Sequence, residues 1–571
     1  MALINLQCLY VIIYLLLLNF VCIQPKNGQS TANTNSCYPQ GSVACKMWNY
    51  TNMDCVNRDL VCIPPLRKAT SIIFLDLTQN KVNVISDDEF RMFKKLQHLD
   101  LSFNEISALY DGAFTGLDEL LILGLYGNPI SHIQATVFNS LYKLQYMDLS
   151  ANNISALHDD VFNGFHDLLT LDLRYNFIFF ISDKTFSTLG KLTSLDLHGN
   201  YLHTLEGAPF KNLISLQTLH LSWQNITSLS TSSLVGLENL QILYLSFHDG
   251  SDNITGTPLT QLLSLQTFYI TTTIYDCDNI GKLFTGLHNL QHLDITVGGS
   301  CPEIKFCSSY EEKNHHLNAS NKCTRAIPLT YLKFHQVSSS TTSLPALQVL
   351  NNLTDLTLYL QDDIYTAIEV LNSLDSPLQN LTLYTIDRVI NLNSTTFASW
   401  GNWKILLQIL NLCSSTSTLL VGDAAFEWFT DLKILYLCNE YYGQPTSTLF
   451  VNAFKGLRSL NNLQLSNINI PLLVPLNIFR RYNSLTKLNL SHNQLSGNFE
   501  VIWEQLCNIL SLKKIDLSHN NFDNSEILWS CSPPNLKELI IGDHQLIFVT
   551  FLQIYVRLHH TWNHLMLGQP Q

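Results

Sequence analysis

Charge is scarce in this chain. Only 13% of its 571 residues are Asp, Glu, Lys or Arg, and the acids exceed the bases to leave a net charge of −13. A protein that grips nucleic acid regardless of its sequence carries a basic excess, so that class is disfavoured. Catalytic motifs are missing too: there is no phosphate-cradling glycine loop, no nucleophile elbow and no HExxH. His315 and His316 have no partners at metal-ligand spacing, and the nineteen histidines are scattered rather than clustered. The sequence therefore assigns no catalytic residue, no metal and no cofactor. Membrane-length apolar runs are also lacking. The run from Cys8 to Ile23, broken only by Asn19, falls short of the roughly 20 residues that a spanning helix needs. It suits a signal peptide over residues 1–24, although no Lys or Arg precedes it.

What is present fits an exported chain. After the leader, twelve cysteines fall into close groups: Cys37, Cys45, Cys55 and Cys62; Cys277, Cys301, Cys307 and Cys323; Cys413 and Cys438; Cys507 and Cys531. An even count in local clusters on a secreted chain reads as disulfides rather than zinc ligands. Nine Asn-x-Ser/Thr acceptors point the same way, at Asn49, Asn153, Asn225, Asn253, Asn318, Asn352, Asn380, Asn393 and Asn489.

The dominant feature is a 24-residue period. LQHLDLSFN begins at Leu96, LLILGLYGN at Leu120, LQYMDLSAN at Leu144, LLTLDLRYN at Leu168 and LTSLDLHGN at Leu192. The asparagine recurs as Asn80, Asn104, Asn128, Asn152, Asn176 and Asn200, and a phenylalanine as Phe90, Phe114, Phe138, Phe162, Phe186 and Phe210. This LxxLxLxxN pattern is the leucine-rich-repeat signature. Its LxL pair alternates inward on a short strand, the residue between them faces out, and successive strands lie about 4.8 Å apart in one parallel sheet. The asparagine turns the chain inside the coil, where its amide satisfies backbone groups that no strand reaches. The phenylalanine fills the wider convex side. The expected fold is an α/β leucine-rich-repeat solenoid, a horseshoe with a concave parallel sheet and an N-terminal cysteine cap.

Strand starts can be assigned for nineteen repeats, from Ile72 to Leu536. Beyond His248 the period loosens, and Gln224, His248, Thr273 and Gln361 replace the asparagine before it returns as Asn493 and Asn520. A weaker asparagine ladder predicts local twisting or flattening of the coil. The expected organisation is a leader (1–24), a cysteine-rich cap (37–66), regular repeats (72–298), a cysteine-bearing insert (299–328) and irregular repeats (329–567). The chain stops inside what reads as another repeat, near Trp562 to Leu567, with no cysteine cap after it. That predicts a fragment, a truncated gene model or an alternative end of a longer protein.

The capped N-terminus, the LDLS strands, the irregular middle and the cysteine-bearing insert together resemble a Toll-like receptor ectodomain over residues 37 to about 567. Members of that family bind microbial molecules, dimerise as homo- or heterodimers, and signal through a TIR domain behind one membrane helix. Neither the helix nor that domain is in this sequence. The resemblance implies a pattern-recognition ectodomain of innate immunity on the extracellular side of the plasma membrane, or in an endosome, with a microbial or protein ligand. Two alternatives are a secreted decoy or soluble recognition protein, and an adhesive leucine-rich-repeat protein of the matrix or cell surface.

Candidate contacts lie at outward strand positions. One row reads Asp100, Gly124, Asp148, Asp172, Asp196, His220, and the next reads Ser102, Tyr126, Ser150, Arg174, His198, Ser222. Asp and Ser are what the repeat places there, so Tyr126, Arg174 and His198 stand out as ligand candidates. Further on, Tyr244, Tyr269, Tyr331, Lys333, His335, Tyr359 and Tyr384 take exposed strand positions, where aromatics either anchor a ligand or follow ordinary strand preference. Glycans on the outward-facing Asn380 and Asn489 would block those parts of the face.

The stretch from Gly298 to Pro328 lengthens one repeat by about fifteen residues over the period. It reads either as a processing or ligand-gating loop or as a disulfide-tied surface loop. Cys413 and Cys438 occupy the same position in successive strands, which puts their Cα atoms about 5 Å apart and predicts a bond. Cys507 and Cys531 each precede a strand start by five residues and are expected to pair as well. For the insert, Cys277 with Cys301 and Cys307 with Cys323 are the expected pairs.

Overall fold

The structure is a computed structural model. It describes Cys37 and residues 45–540, except 49, 65–68, 248–252, 273–276, 299–302, 305, 311–322, 337–343, 346, 360–370, 373, 386–388, 415–417, 440–446, 469, 471–483, 494, 496–498 and 521–532. The leader, Asn49, Cys301, Asn318, Cys531 and the C-terminal stretch from 541 lie outside the described residues.

The alternation of leucines produces very short strands. Phe74–Asp76, His98–Asp100, Ile122–Gly124, Tyr146–Asp148, Thr170–Asp172 and Ser194–Asp196 each bury their central residue and leave the flanking ones partly exposed, except Asp172, which is buried too. They join one sheet of 21 strands among the described residues. Two of those belong to the cap, Lys46–Met47 and Asn52–Asp54, which pair antiparallel with each other. The other nineteen run parallel from Phe74–Asp76 to Glu538–Ile540, one for each repeat expected from sequence. The register has no stagger: Asp100, Gly124, Asp148, Asp172, Asp196, His220, Tyr244 and Tyr269 stand side by side across eight coils.

Each asparagine fixes its turn through three strong hydrogen bonds. The Asn176 Nδ2 donates to Leu173 O (3.0 Å) and Leu149 O (2.9 Å), while its Oδ1 accepts the Ile154 N–H (3.0 Å). One amide therefore ties its own coil to the one before it, in the dry interior where an unmade bond is expensive. The residue before the asparagine takes a left-handed backbone, as at Phe103 (φ 54°) and Tyr175 (φ 54°), and so does Trp223 (φ 55°) before Gln224. At Gly127 and Gly199 the glycine also makes room, since a Cβ there would sit 3.1 Å from the Phe103 ring and 2.7 Å from the Tyr175 ring.

Gln224 reproduces the two bonds to the preceding coil, with Oε1 accepting the Leu202 N–H at 3.0 Å and Nε2 donating to Leu197 O. His248, Thr273 and Gln361 lie outside the described residues. In that part of the array the strands run on for five or six residues, as in Ile242–Ser246, Thr267–Thr272, His292–Val297 and Tyr331–Gln336. Without the inward-turning amide the extended backbone continues, which widens the concave face there.

On the convex side the repeating phenylalanines form a spine. Phe90–Phe114, Phe114–Phe138, Phe162–Phe186 and Phe186–Phe210 stack with centroids 5.9–6.4 Å apart, and Phe165 bridges the step between Phe138 and Phe162. All are buried in one continuous core that no single coil could close. Each buried ring contributes about 2–3 kcal/mol of hydrophobic stabilisation.

Disulfides close the cap through Cys37–Cys62 and Cys45–Cys55, and Cys413 is bonded to Cys438 with Cα atoms 4.6 Å apart. Cys307 and Cys507 are also disulfide-bonded. One expected pairing needs correction. In the insert, Cys307–Tyr310 and Cys323–Ala326 form an antiparallel ladder that sets Cys307 opposite Ala326 and Cys323 opposite Tyr310. The two cysteines thus stand three residues apart along the ladder, about 10 Å, beyond the reach of one disulfide. The base of the insert is rooted in the core: Ile304 and Phe306 are fully buried, and the Phe306 ring packs against Phe284 at 5.3 Å.

Candidate ligand-binding face

The unstaggered register decides which outward side chains meet. The aspartates of the first half are occupied by the backbone. Asp76, Asp100, Asp148, Asp172 and Asp196 each accept, through Oδ1, the N–H two residues on, at 2.8–3.0 Å. Asn489 and Asp516 do the same in later coils. This contact holds the end of the strand and explains why the repeat favours Asp there, whatever the face binds.

Beyond those carboxylates, rings line up from strand to strand. Tyr175 meets His198 at 5.1 Å, and His198 lies 4.8 Å from Trp223 and 5.6 Å from His220. His220 packs on Tyr244 at 3.7 Å, and Tyr244 stacks face to face on Tyr269 (4.3 Å, 3°). Tyr269 reaches His292 at 5.6 Å, and His292 stacks on Tyr331 (3.9 Å, 7°). The expected contact residues His198, Tyr244, Tyr269 and Tyr331 therefore share one ladder of rings. Tyr359 belongs to a second group: it stacks on Tyr384 at 4.1 Å, touches His335 at 4.9 Å, and lies 5.8 Å from the Lys333 ammonium. That ammonium is paired with Asp294 at 2.8 Å. Tyr126 stands apart, edge-on to Phe103 at 4.8 Å, and Arg174 is paired with Asp172 at 3.2 Å.

Where the rings stack, neighbouring strands cover their faces, so a visitor meets ring edges, phenol hydroxyls and imidazole nitrogens. Ring edges carry partial positive charge and the polar tips hydrogen-bond. Burial holds the His198, His292 and His335 imidazoles below the ordinary histidine range, which keeps them neutral at pH 7. Burial lifts Asp172 to about 6, outweighing its hydrogen bond from the Arg174 backbone and the Arg174 charge. Burial also pushes up on Asp196, yet bonds from His220 and the His198 backbone bring it net below the usual carboxylate value.

Sequence reading missed several surface aromatics. Phe103, Tyr175 and Trp223 sit at the left-handed position before the asparagine, or before Gln224 in its place, and are 48–53% exposed. His292 is another, in the same column as Tyr331, with which the aligned strands pair it. Phe177 and Tyr201 follow the asparagine in successive coils and stack at 5.8 Å, one coil inside the acceptors Asn153 and Asn225.

Among the described residues no three His, Cys, Asp or Glu side chains are grouped to hold a metal, and no helix is long and apolar enough to cross a membrane.

Profiles of the leucine rich repeat match residues 74–130, 119–178, 143–202 and 190–249, and a second such profile matches 484–506. No curated protein sequence matches the chain. Among solved structures the chain is similar to TLR13 in its complex with ssRNA13, at 22% identity and a TM-score of 0.57, covering 88% of this chain and 69% of that one. It is also similar to mouse RP105 in its complex with MD-1, at 19% identity and a TM-score of 0.47, covering 84% of each. Residues 74–249 are leucine-rich repeats, and the chain shares its solenoid fold with TLR13.

Proposed function

We propose that this solenoid is the ligand-binding ectodomain of a Toll-like pattern-recognition receptor, non-catalytic, acting in innate immune signalling from the extracellular or endosomal side of a membrane. The carrying observation is the ring ladder from Tyr175 to Tyr331 on the concave face. Aromatic side chains give large contact area at low entropic cost, which is why they anchor interfaces, and here seven consecutive coils contribute to one such strip. The fold shared with TLR13 supports the same reading.

TLR13 was solved with single-stranded RNA. A polyphosphate is a poor fit for this chain, because the carboxylates of Asp76, Asp100, Asp148, Asp172 and Asp196 border the strip and the net charge is −13. A microbial ligand rich in hydrogen-bond acceptors but not polyanionic suits the ladder better. Dimerisation on binding, and a membrane helix and TIR domain in the parent protein, belong to the same proposal.

The test is a chimera that places this chain ahead of a membrane helix and a TIR domain in a reporter cell, exposed separately to peptidoglycan, lipopeptide, flagellin and bacterial RNA. One of the first three should drive the reporter, and Tyr269→Ala with Tyr331→Ala should abolish the response. Binding of the secreted chain to collagen or fibronectin, with no microbial response, would instead establish the adhesive reading.

A further inference from the structure

The row of strand-end aspartates is interrupted once, at Gly124, which stands between Asp100 and Asp148. The gap is shaped. A Cβ at Gly124 would lie 2.7 Å from Asp100 Oδ1 and 3.2 Å from Ser102 Oγ, so a carboxylate oxygen and a hydroxyl converge where every neighbouring coil holds a side chain. The gap opens into a cavity of about 310 Å³ that also receives Phe103, Tyr126 and Asp148.

The hydroxyl is the telling group. Ser102 is only 8% exposed, and its Oγ, which borders the cavity, has no hydrogen-bond partner among the described residues. In two other coils the equivalent serine is satisfied: Ser150 Oγ donates to Asp148 at 2.5 Å, and Ser518 Oγ donates to Asp516 at 2.7 Å. That leaves the Ser102 hydroxyl turned to the cavity, with its lone pairs open to whatever enters it. The charge balance says what that is. Among the described residues neither Asp100 nor Asp148 takes part in an ion pair, and Arg174, which reaches the rim, is already held by Asp172 at 3.2 Å. Two carboxylates outside any ion pair, of which Asp148 also feels the Arg174 charge, an unpaired oxygen and an edge-to-face pair of rings, with Phe103 50% exposed, thus surround one opening.

The geometry points to a binding site for a primary alkylammonium, such as a lysine side chain or an amine on a microbial polymer. Its three N–H donors match the oxygens of Asp100, Ser102 and Asp148, and its aliphatic stem lies along Phe103 and Tyr126. The site is separate from the ladder and does not depend on the receptor reading.

The probe is Nα-acetyl-lysine N-methylamide, titrated into the secreted chain by calorimetry and by saturation-transfer NMR, with the norleucine analogue and tetramethylammonium as comparisons. Saturable binding at about millimolar concentration is expected for the lysine derivative alone. Gly124→Ala fills the gap and should abolish it. Asp100→Asn keeps an acceptor for the Ser102 N–H, and Ser102→Ala removes only the hydroxyl; each should weaken binding about tenfold. Asp196→Asn, in the same row but outside the gap, should leave it unchanged. No saturation at ten times that concentration, equal binding of tetramethylammonium, or binding that survives both Gly124→Ala and Ser102→Ala would overturn the proposal.

Discussion

Replacing Asn176 by alanine tests how the coils are held together. The side chain is 2% exposed and makes strong bonds to Leu173 O, Leu149 O and the Ile154 N–H, spanning two adjacent coils. Alanine leaves two carbonyls and one N–H unmet in a dry interior, and its small side chain admits no substitute donor. At about 1–1.5 kcal/mol for each lost bond, with more where desolvation is uncompensated, the cost is about 3–5 kcal/mol. Because stability in a stacked array is a sum of nearest-neighbour terms, the loss should be local. Hydrogen exchange of the secreted chain, followed by mass spectrometry, should show peptides across residues 149–181 losing protection roughly a hundred- to a few-thousand-fold. Peptides near 74–100 should change little, and Asn139→Ala at an exposed position serves as the control. Asn176→Gln should recover part of the protection, since Gln224 makes two of the three bonds, those to the preceding coil. Unchanged exchange at 149–181, or an even loss along the whole array, would refute the reasoning.

Four further predictions follow from the same geometry. Asp172, raised to about 6 by burial, binds its proton in the folded state before the unfolded chain does, so it disfavours folding increasingly as pH rises from about 4 to 6; Asp172→Asn should add about 2–3 kcal/mol above pH 6 and flatten that part of the stability profile in urea titrations. His292 runs the other way: burial lowers its pKa, so the unfolded chain protonates first and stability falls with acidification below about pH 6.5, a slope that His292→Gln should reduce. Cys413→Ser with Cys438→Ser opens a link between adjacent strands of 25-residue separation and should cost about 2–4 kcal/mol, while non-reducing peptide maps of the parent chain should recover the pair. Glycan mapping should find the exposed acceptors Asn253, Asn352 and Asn393 occupied and Asn380 empty, because the Asn380 amide donates to Asp355 within the sheet.

The legible part of this protein is the part that repeats. Leucine spacing fixes which residues point inward, and the recurring asparagine and phenylalanine announce the turn and the convex spine, so nineteen strands could be placed in advance. The candidate face was legible in part. His198, Tyr244, Tyr269, Tyr331 and Tyr359 stood out at outward strand positions, but the Trp223 ring beside His198 and the His292 ring between Tyr269 and Tyr331 meet them only once the strands are set in register. The aspartate row misleads for a related reason: its conserved spacing follows from a hydrogen bond to the backbone, while the informative residue is the glycine that breaks it. The Cys307 pairing could not be read from spacing, because an antiparallel ladder places residues by register rather than by separation along the chain.

The most direct test of the ladder as the recognition surface is hydroxyl-radical footprinting of the secreted chain with and without the microbial product that drives the reporter. Tyr244, Tyr269 and Tyr331 should lose reactivity on binding, while Tyr110 and Tyr142, exposed and off the concave strands, should keep theirs. Protection at Tyr110 and Tyr142 with the ladder tyrosines unchanged would contradict the account.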